Sequence, residues 1–140
     1  MSENGNGNGN GLASVEDLFT PMPRRYVEAT LPTSNLRVRV RSLSEREISR
    51  YQASMVTTKG APRIERVARA NRKLIVLCLV TAAGDRLMKD SDAEKLEEWD
   101  GKDSSFLAEV CSRHTGITSG DVEDLVGNSS EINDASSASD

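Results

Sequence analysis

The chain has 140 residues, of which 36% are hydrophobic and 4% aromatic, enough for one small domain with a modest core. It contains no apolar run near the roughly 18 residues that a membrane-spanning helix needs, and we expect no secretion signal because its first residues lack a basic and an apolar region. The two cysteines, Cys78 and Cys111, are therefore expected to be reduced thiols packed among apolar neighbours.

Charge is segregated along the chain, although the net charge is only −4. Residues 24–73 carry 13 Lys/Arg and 4 Asp/Glu, whereas residues 74–140 carry 5 Lys/Arg and 15 Asp/Glu. A basic half followed by an acidic half can serve intramolecular pairing, self-association or the binding of a polyanion. The composition leaves these three alternatives open.

Three regions are predicted along the chain. Residues 1–23 form a disordered arm with a short helix, residues 24–127 form a single helical domain with an N-terminal hairpin, and residues 128–140 form a disordered acidic tail rich in Ser and Ala. The helix of the arm has Ser14 and Asp17 as a candidate capping pair and is either a loosely held segment or a short motif that docks on a partner. Its apolar residues are Leu12, Val15, Leu18 and Phe19.

Two short strands are predicted next, at Tyr26–Leu31 and Leu36–Val40, with turn-forming residues between them. The second strand alternates strictly, so its apolar side chains share one face and its arginines the other. A lone hairpin is only marginally stable, and we therefore expect it to pack against helices. The arginines of the basic face are Arg37, Arg39 and Arg41.

Five helices are predicted after the hairpin. The first begins at Ser44, which forms a capping box with Glu47, and the second begins at Pro62, with Gly84 ending either this helix or the turn beyond it. The apolar face of the second helix is predicted to hold Ile64, Val67, Ala68, Asn71, Ile75, Cys78 and Leu79. The others are predicted at Ser91–Trp99 with a second capping box of Ser91 and Glu94, at Asp103–Thr115 with Gly116 at its end, and at Asp121–Val126.

This layout predicts a mainly α protein with a small N-terminal β-hairpin, in the α+β class: a compact helical domain with disordered termini. The densest apolar material lies in Leu74–Leu96, and we expect the core to form around that segment.

The sequence offers little catalytic chemistry. Cys111 and His114 lie one helical turn apart, and Cys78 could approach them in space, but a structural zinc site needs four ligands and these are too sparse. A nucleophilic cysteine needs an exposed, electropositive setting, whereas Cys111 falls on an apolar stripe. We therefore predict a protein that is not an enzyme and that holds no metal and no cofactor.

A basic surface suggests nucleic acid as an alternative partner. The arginines of the hairpin and those of the second predicted helix could together contact phosphates. Against this, no second helix is placed to read a groove, and no aromatic residue interleaves the arginines as a stacking platform. A small nucleic-acid-associated or regulatory protein is therefore the second interpretation. The helical members of this stripe are Arg63, Arg66, Arg69, Arg72 and Lys73.

Several motifs occur in a recognisable order: a hairpin, a basic helix that ends in an apolar run, a glycine turn, an acidic helix start and a closing helix before a Leu-x-x-Asn-Ser element. The residues that carry this order are Leu77, Leu79, Val80, Gly84, Arg86, Leu87, Met88, Asp90, Asp92, Gly116, Ile117, Leu125, Asn128 and Ser129. Over roughly residues 26–130 the chain resembles the tail assembly chaperones of long-tailed bacteriophages. It departs from them at residues 81–83, where the family often has acidic residues, and at residues 114–115, where it usually has Leu-Asn.

The resemblance implies a role in building the tail. Such chaperones bind the long, mostly helical tape measure protein in the host cell cytoplasm, recruit major tail protein subunits and are absent from the mature virion. Many are made in two lengths by a ribosomal frameshift, so a longer form of the same chain is an implied partner, beside self-association. The candidate partner-binding residues are Leu12, Val15, Leu18, Phe19, Arg37, Arg39, Arg63, Arg66 and Arg69.

Overall fold

The computed structural model of the chain describes residues 11–56 and 62–117. They form a mainly helical fold with a small N-terminal antiparallel sheet, as the sequence predicts. The predicted helix at Asp121–Val126 lies outside the described residues. In chain order the elements are helix α1 (Val15–Phe19), strands β1 (Tyr26–Thr30) and β2 (Arg37–Arg41), helices α2 (Glu45–Val56) and α3 (Arg63–Cys78), strand β3 (Leu79–Val80), a 3-10 helix (Asp90–Glu98) and helix α4 (Gly101–Thr115).

The predicted hairpin is present, but it is part of a three-stranded sheet. β1 and β2 pair antiparallel, with Tyr26 opposite Arg41. The short β3 adds to the other edge of β2, where Leu79 lies opposite Val40. The prediction that Leu79 lies on the face of the second helix is therefore wrong, since α3 ends at Cys78 and Gly84 belongs to the turn beyond. Leu79 and Val80 leave the helix because they add a third strand to a hairpin that alone would be only marginally stable.

The core lies where α3, α4, the 3-10 helix and the sheet meet, and the segment from Leu74 to Leu96 supplies much of it. Within that segment Leu74 and Leu79 are almost fully buried, and Leu107 of α4 packs into the same cluster. α2 joins through Tyr51, whose hydroxyl donates to the carbonyl oxygen of Ala70 at 3.1 Å. The predicted location of the core is confirmed.

The orientation of α3 about its own axis differs from the prediction. Its buried stripe follows i, i+4 spacing from Arg66 through Ala70 and Leu74 to Cys78. Ile64, predicted to face the core, is 85% exposed. It lies two residues from Arg66, which is about 200° of helical rotation, and therefore points away from the buried stripe.

The segment that follows the turn is a 3-10 helix, and the predicted capping box of Ser91 and Glu94 is wrong. The backbone N–H of Lys89 donates instead to Oδ2 of Asp92 at 2.8 Å, so the cap lies two residues earlier than predicted and the helix begins at Asp90. The apolar residues Ala93, Leu96 and Trp99 are spaced by three and all turn towards the core. That spacing matches the three residues per turn of a 3-10 helix, because side chains at i and i+3 then share one side.

α4 begins at Gly101, two residues earlier than predicted. The Asp100 carboxylate accepts hydrogen bonds from the backbone N–H groups of Lys102 and Asp103 and so caps the helix. The buried Asp103 carboxylate points across to the hairpin and accepts from the N–H groups of Thr33 at 2.7 Å and Ser34 at 3.1 Å. This side chain joins the turn of the hairpin to the start of α4.

Replacing Gly84 by alanine should destabilise the fold by about 1–2 kcal/mol, because Gly84 has a φ of +94°, a conformation that costs an L-residue about that much. An added Cβ would also lie 2.8 Å from the hydroxyl of Tyr26. Urea denaturation followed by circular dichroism measures the effect. Gly101→Ala is the matched control, since no atom lies within 4 Å of its Cβ position, and it should be neutral or stabilise by up to about 1 kcal/mol. Equal changes in both variants would contradict this explanation.

Candidate functional site

The arm contains the short helix that the sequence suggests, and local hydrogen bonds rather than packing define it. The N–H of Asp17 donates to Oγ of Ser14 at 3.2 Å, and the N–H of Ser14 donates back to Oδ2 of Asp17 at 2.9 Å. This is a reciprocal capping box, and the carboxylates of Glu16 and Asp17 in the first turn also favour the helix dipole. In this structure α1 is thus held by its own cap and not by burial of its side chains.

The apolar side chains of the arm lie at the surface. No residue of α1 is buried, and the exposed fractions of Val15, Leu18 and Phe19 are 65%, 71% and 81%. Leu12 is 64% exposed, so all four apolar residues predicted to bind a partner are accessible. Met22, which the sequence analysis did not single out, is 83% exposed and extends the same segment. A cluster of large exposed apolar side chains is typical of a protein-interaction site.

Two arginines connect the end of the arm to the domain, one by contacts with α2 and the other by a contact with α4. Nη1 of Arg24 lies 2.8 Å from Oε1 of Glu47 on α2 and donates to the carbonyl oxygen of Ser42. Nη2 of Arg25 donates to the carbonyl oxygen of His114 at the end of α4. The chain is thus anchored immediately after the exposed apolar segment.

The basic stripe predicted from the sequence does not form one solvent-facing surface. Arg66 is only 9% exposed and Arg41 only 8%, so neither guanidinium belongs to a solvent-facing stripe, and a partner-binding role for Arg66 stays a prediction that its burial disfavours. Arg66 belongs to the i, i+4 stripe that α3 turns to the core. Nη2 of Arg72 lies 3.2 Å from the carboxylate of Glu97, while Arg63 stays exposed and Arg69 half-buried.

The arginines of the hairpin form contacts with other residues of the same chain. Arg37 is exposed and forms an ion pair with Glu28 on β1. The guanidinium carbon of Arg39 lies 4.3 Å from the ring centroid of Tyr26, and its Nη1 donates to the carbonyl oxygen of Ala82. These contacts use a carboxylate of the basic half itself, a ring and a backbone carbonyl, so support for pairing between the basic and acidic halves comes instead from Arg72 and Glu97.

Arg41 and Glu47 form the most buried ion pair among the described residues. Nη1 of Arg41 lies 3.4 Å from Oε2 of Glu47, and Nε of Arg41 donates to the carbonyl oxygen of Leu77 at 2.8 Å. Burial lowers the pKa of the Arg41 guanidinium, although the Glu47 carboxylate opposes this. For Glu47, burial alone would raise the pKa, but hydrogen bonds from Arg24 and Ser44 and the charge of Arg41 outweigh it and hold the pKa at about 2.

The cysteines form a buried pair. Cys78 on α3 and Cys111 on α4 are both fully buried and reduced. The pKa of the Cys111 thiol is raised well above its ordinary value, mainly by a hydrogen bond with Cys78 and secondly by burial.

His114 lies apart from the cysteines in its contacts: its Nε2 is 3.2 Å from the carbonyl oxygen of Arg25, just before the hairpin. In residues 11–56 and 62–117, no three His, Cys, Asp or Glu side chains are grouped so that they could hold a metal ion.

Comparisons of the chain with protein-family models, with curated proteins and with solved structures found no match. The resemblance to tail assembly chaperones therefore stays a prediction from the order of motifs, and the function has to be argued from the surfaces described above. None of the helices in the described ranges is long and apolar enough to cross a membrane.

The Glu47 carboxylate should make stability depend on acid pH. Because its pKa is about 2 in the folded chain and about 4.5 ordinarily, its contribution is complete above pH 4.5 and is lost as pH falls towards 2. Glu47→Gln keeps an acceptor for the helix cap but removes the charge. At pH 7 it should destabilise by roughly 1–3 kcal/mol, since it leaves the buried Arg41 guanidinium without its counter-charge, while the 23% exposure of the Glu47 side chain keeps the cost below that of a fully buried pair.

Urea denaturation of wild type and Glu47→Gln between pH 7 and pH 2 tests this prediction, and the difference between them should shrink below pH 4.5. Glu109→Gln is the control, because the pair of Glu109 with Arg113 is exposed and should contribute within about 0.5 kcal/mol. A difference that stays constant with pH would contradict the assignment to Glu47.

The two thiols should be unreactive in the folded protein. At pH 8 an aromatic disulfide reagent that releases a coloured thiolate should modify neither Cys78 nor Cys111 until urea unfolds the chain, after which two equivalents should react. Burial keeps the reagent away from both thiols, and the raised pKa of Cys111 lowers the fraction of reactive thiolate. Rapid modification of one thiol under native conditions would show that the site is accessible.

Proposed function

We propose that this chain is a non-enzymatic tail assembly chaperone of a long-tailed bacteriophage, which uses its apolar arm to bind the tape measure protein. The observation that carries the proposal is the exposure of Val15, Leu18 and Phe19 on a helix that its own capping box holds in place. The order of motifs over residues 26–130 supports the same family. The proposal also includes recruitment of major tail protein while the tail is built.

The arm has the chemistry that a helical client requires. A long amphipathic helix presents an apolar stripe, and a short helix with bulky apolar side chains can lie against such a stripe. Because the capping box of Ser14 and Asp17 already orders the backbone of α1, binding would cost less conformational entropy than folding an unstructured peptide. Leu18 and Phe19 would supply most of the buried apolar area.

The proposal places the chaperone in the host cell cytoplasm and outside the mature virion. Self-association and a longer frameshifted form of the chain remain part of it, because a long client would take up many copies. Nucleic acid is not a proposed partner. The burial of Arg41 and Arg66 and the pairing of Arg72 with Glu97 leave fewer cations for phosphates than the sequence suggests.

Substituting both Leu18 and Phe19 by alanine should weaken binding to the tape measure protein at least about tenfold, since buried aromatic and aliphatic anchors each contribute about 1–2 kcal/mol or more. The measurement is co-purification of overlapping tape measure fragments with the full chain, followed by titration of the fragment that binds. Thermal unfolding should be unchanged, because both side chains are exposed.

Leu36→Ala combined with Ile64→Ala is the matched control. These side chains are also large, apolar and exposed, at 62% and 85%, but they lie outside the arm. Binding should persist in this control. If the arm variant binds as well as the wild type, the arm is not the contact, and if the wild type recovers no tape measure fragment, the proposed function itself is wrong.

A further inference from the structure

A cleft of about 350 Å³ opens between α2, the end of α3 and the turn that follows β3. One wall is a face of α2 that includes Arg50, and the opposite wall is the last part of α3, with Lys73, Val76 and Leu77. The volume is in the range of sites that hold small ligands or a few side chains. No part of the proposed chaperone function uses this cleft.

Two arginines in the cleft are already neutralised and held in place. Nε of Arg41 donates to the carbonyl oxygen of Leu77, and its Nη1 pairs with Glu47. Nη2 of Arg86 donates to the carbonyl oxygen of Val76 at 3.2 Å and lies 2.8 Å from Oδ1 of Asp90. Both carboxylates that line the cleft are therefore occupied by these two guanidinium groups.

Two further cations in the cleft have no counter-charge. Arg50 and Lys73 also line it, and the side chain of neither has a hydrogen-bond or ion-pair partner in the part of the chain that the structure describes. The lining thus holds four cationic and two anionic side chains, an excess of two positive charges. Because the walls of a cleft exclude water, a net excess of positive charge there attracts an anion more strongly than the same charge on a flat surface does.

The other lining residues narrow the chemistry of the ligand. Val76 and Leu77 give the wall of α3 an apolar surface beside Lys73. The side chain of Asp or Glu matches both the apolar wall and the two cations. Its methylene groups can lie on Val76 and Leu77, while the guanidinium of Arg50 and the ammonium of Lys73 bind the carboxylate oxygens. A bare phosphate would satisfy the cations but leave the apolar wall without a partner.

We propose that this cleft binds the acidic segment of this chain at residues 118–140, with its Asp or Glu carboxylates paired to Arg50 and Lys73. The proposal stands apart from the chaperone function and does not depend on it. Residues 118–140 contain six Asp/Glu and no Lys or Arg, so their charge is complementary to that of the cleft. The segment can come from the same molecule or from a second copy, and the experiment separates the two.

The test uses the full chain labelled with ¹⁵N and compares three proteins by NMR. They are the wild type, the double variant Arg50→Gln and Lys73→Gln, and a control with Arg46→Gln and Lys102→Gln, which removes the same charge from exposed positions outside the cleft. Each is titrated with an unlabelled peptide of residues 118–140 and, separately, with inorganic phosphate. The amide signals of residues 118–140 within each protein report whether the segment binds in cis.

The proposal predicts peptide-dependent shifts at Arg50, Lys73 and Leu77, with an affinity that falls about tenfold or more in the double variant and holds in the control. If the segment already binds in cis, the added peptide will compete weakly, and the signals of residues 118–140 will shift in the double variant alone. Either result supports the cleft and identifies the source. Equal losses in both variants, an equal response to phosphate, or no response at all would overturn the proposal.

Discussion

The guanidinium group of Arg41 is the constraint on which the arrangement of this fold depends. It is almost fully buried at the end of β2, and a buried charge is costly unless it is paired and hydrogen-bonded. Its partners come from two other elements, the Glu47 carboxylate on α2 and the carbonyl oxygen of Leu77 on α3. Meeting this requirement fixes where both helices stand relative to the sheet.

The same network links the core to the surfaces that we propose to be functional. Glu47 also binds Arg24, the first residue after the arm with a side-chain contact to α2, so the exposed segment is tied to a rigid point. On its other side Arg41 forms part of the cleft, where its charge is already balanced and the charges of Arg50 and Lys73 are not. The arm and the cleft are therefore two separate sites with opposite chemistry, one apolar and one cationic.

The candidate sites differ in how far the sequence could reveal them. The arm is readable, because Val15, Leu18 and Phe19 are conspicuous in an otherwise polar segment and Ser14 and Asp17 mark a helix start. The cleft cannot be predicted from the sequence, because Arg50 and Lys73 are 23 residues apart and each resembles an ordinary charged residue on a helix surface. Arg66 shows the reverse difference between sequence and structure. Its charge suggests a place on the surface, but its position on the buried stripe of α3 leaves it only 9% exposed.

The sequence by itself determined the class of the fold, the hairpin and its alternation, and the capping boxes at Ser14 and Ser44, because these depend on residues within a few positions of one another. The tertiary structure alone decided that Leu79 and Val80 form a strand and which side of α3 is buried. It also decided that the segment after Lys89 winds as a 3-10 helix. The first two choices depend on partners far away in the chain, the free edge of β2 and the packing of α4, which local periodicity does not encode. The spacing of three at Ala93, Leu96 and Trp99 is visible in the sequence, but an α-helix also brings residues i and i+3 together, so only packing against the core selects the 3-10 form.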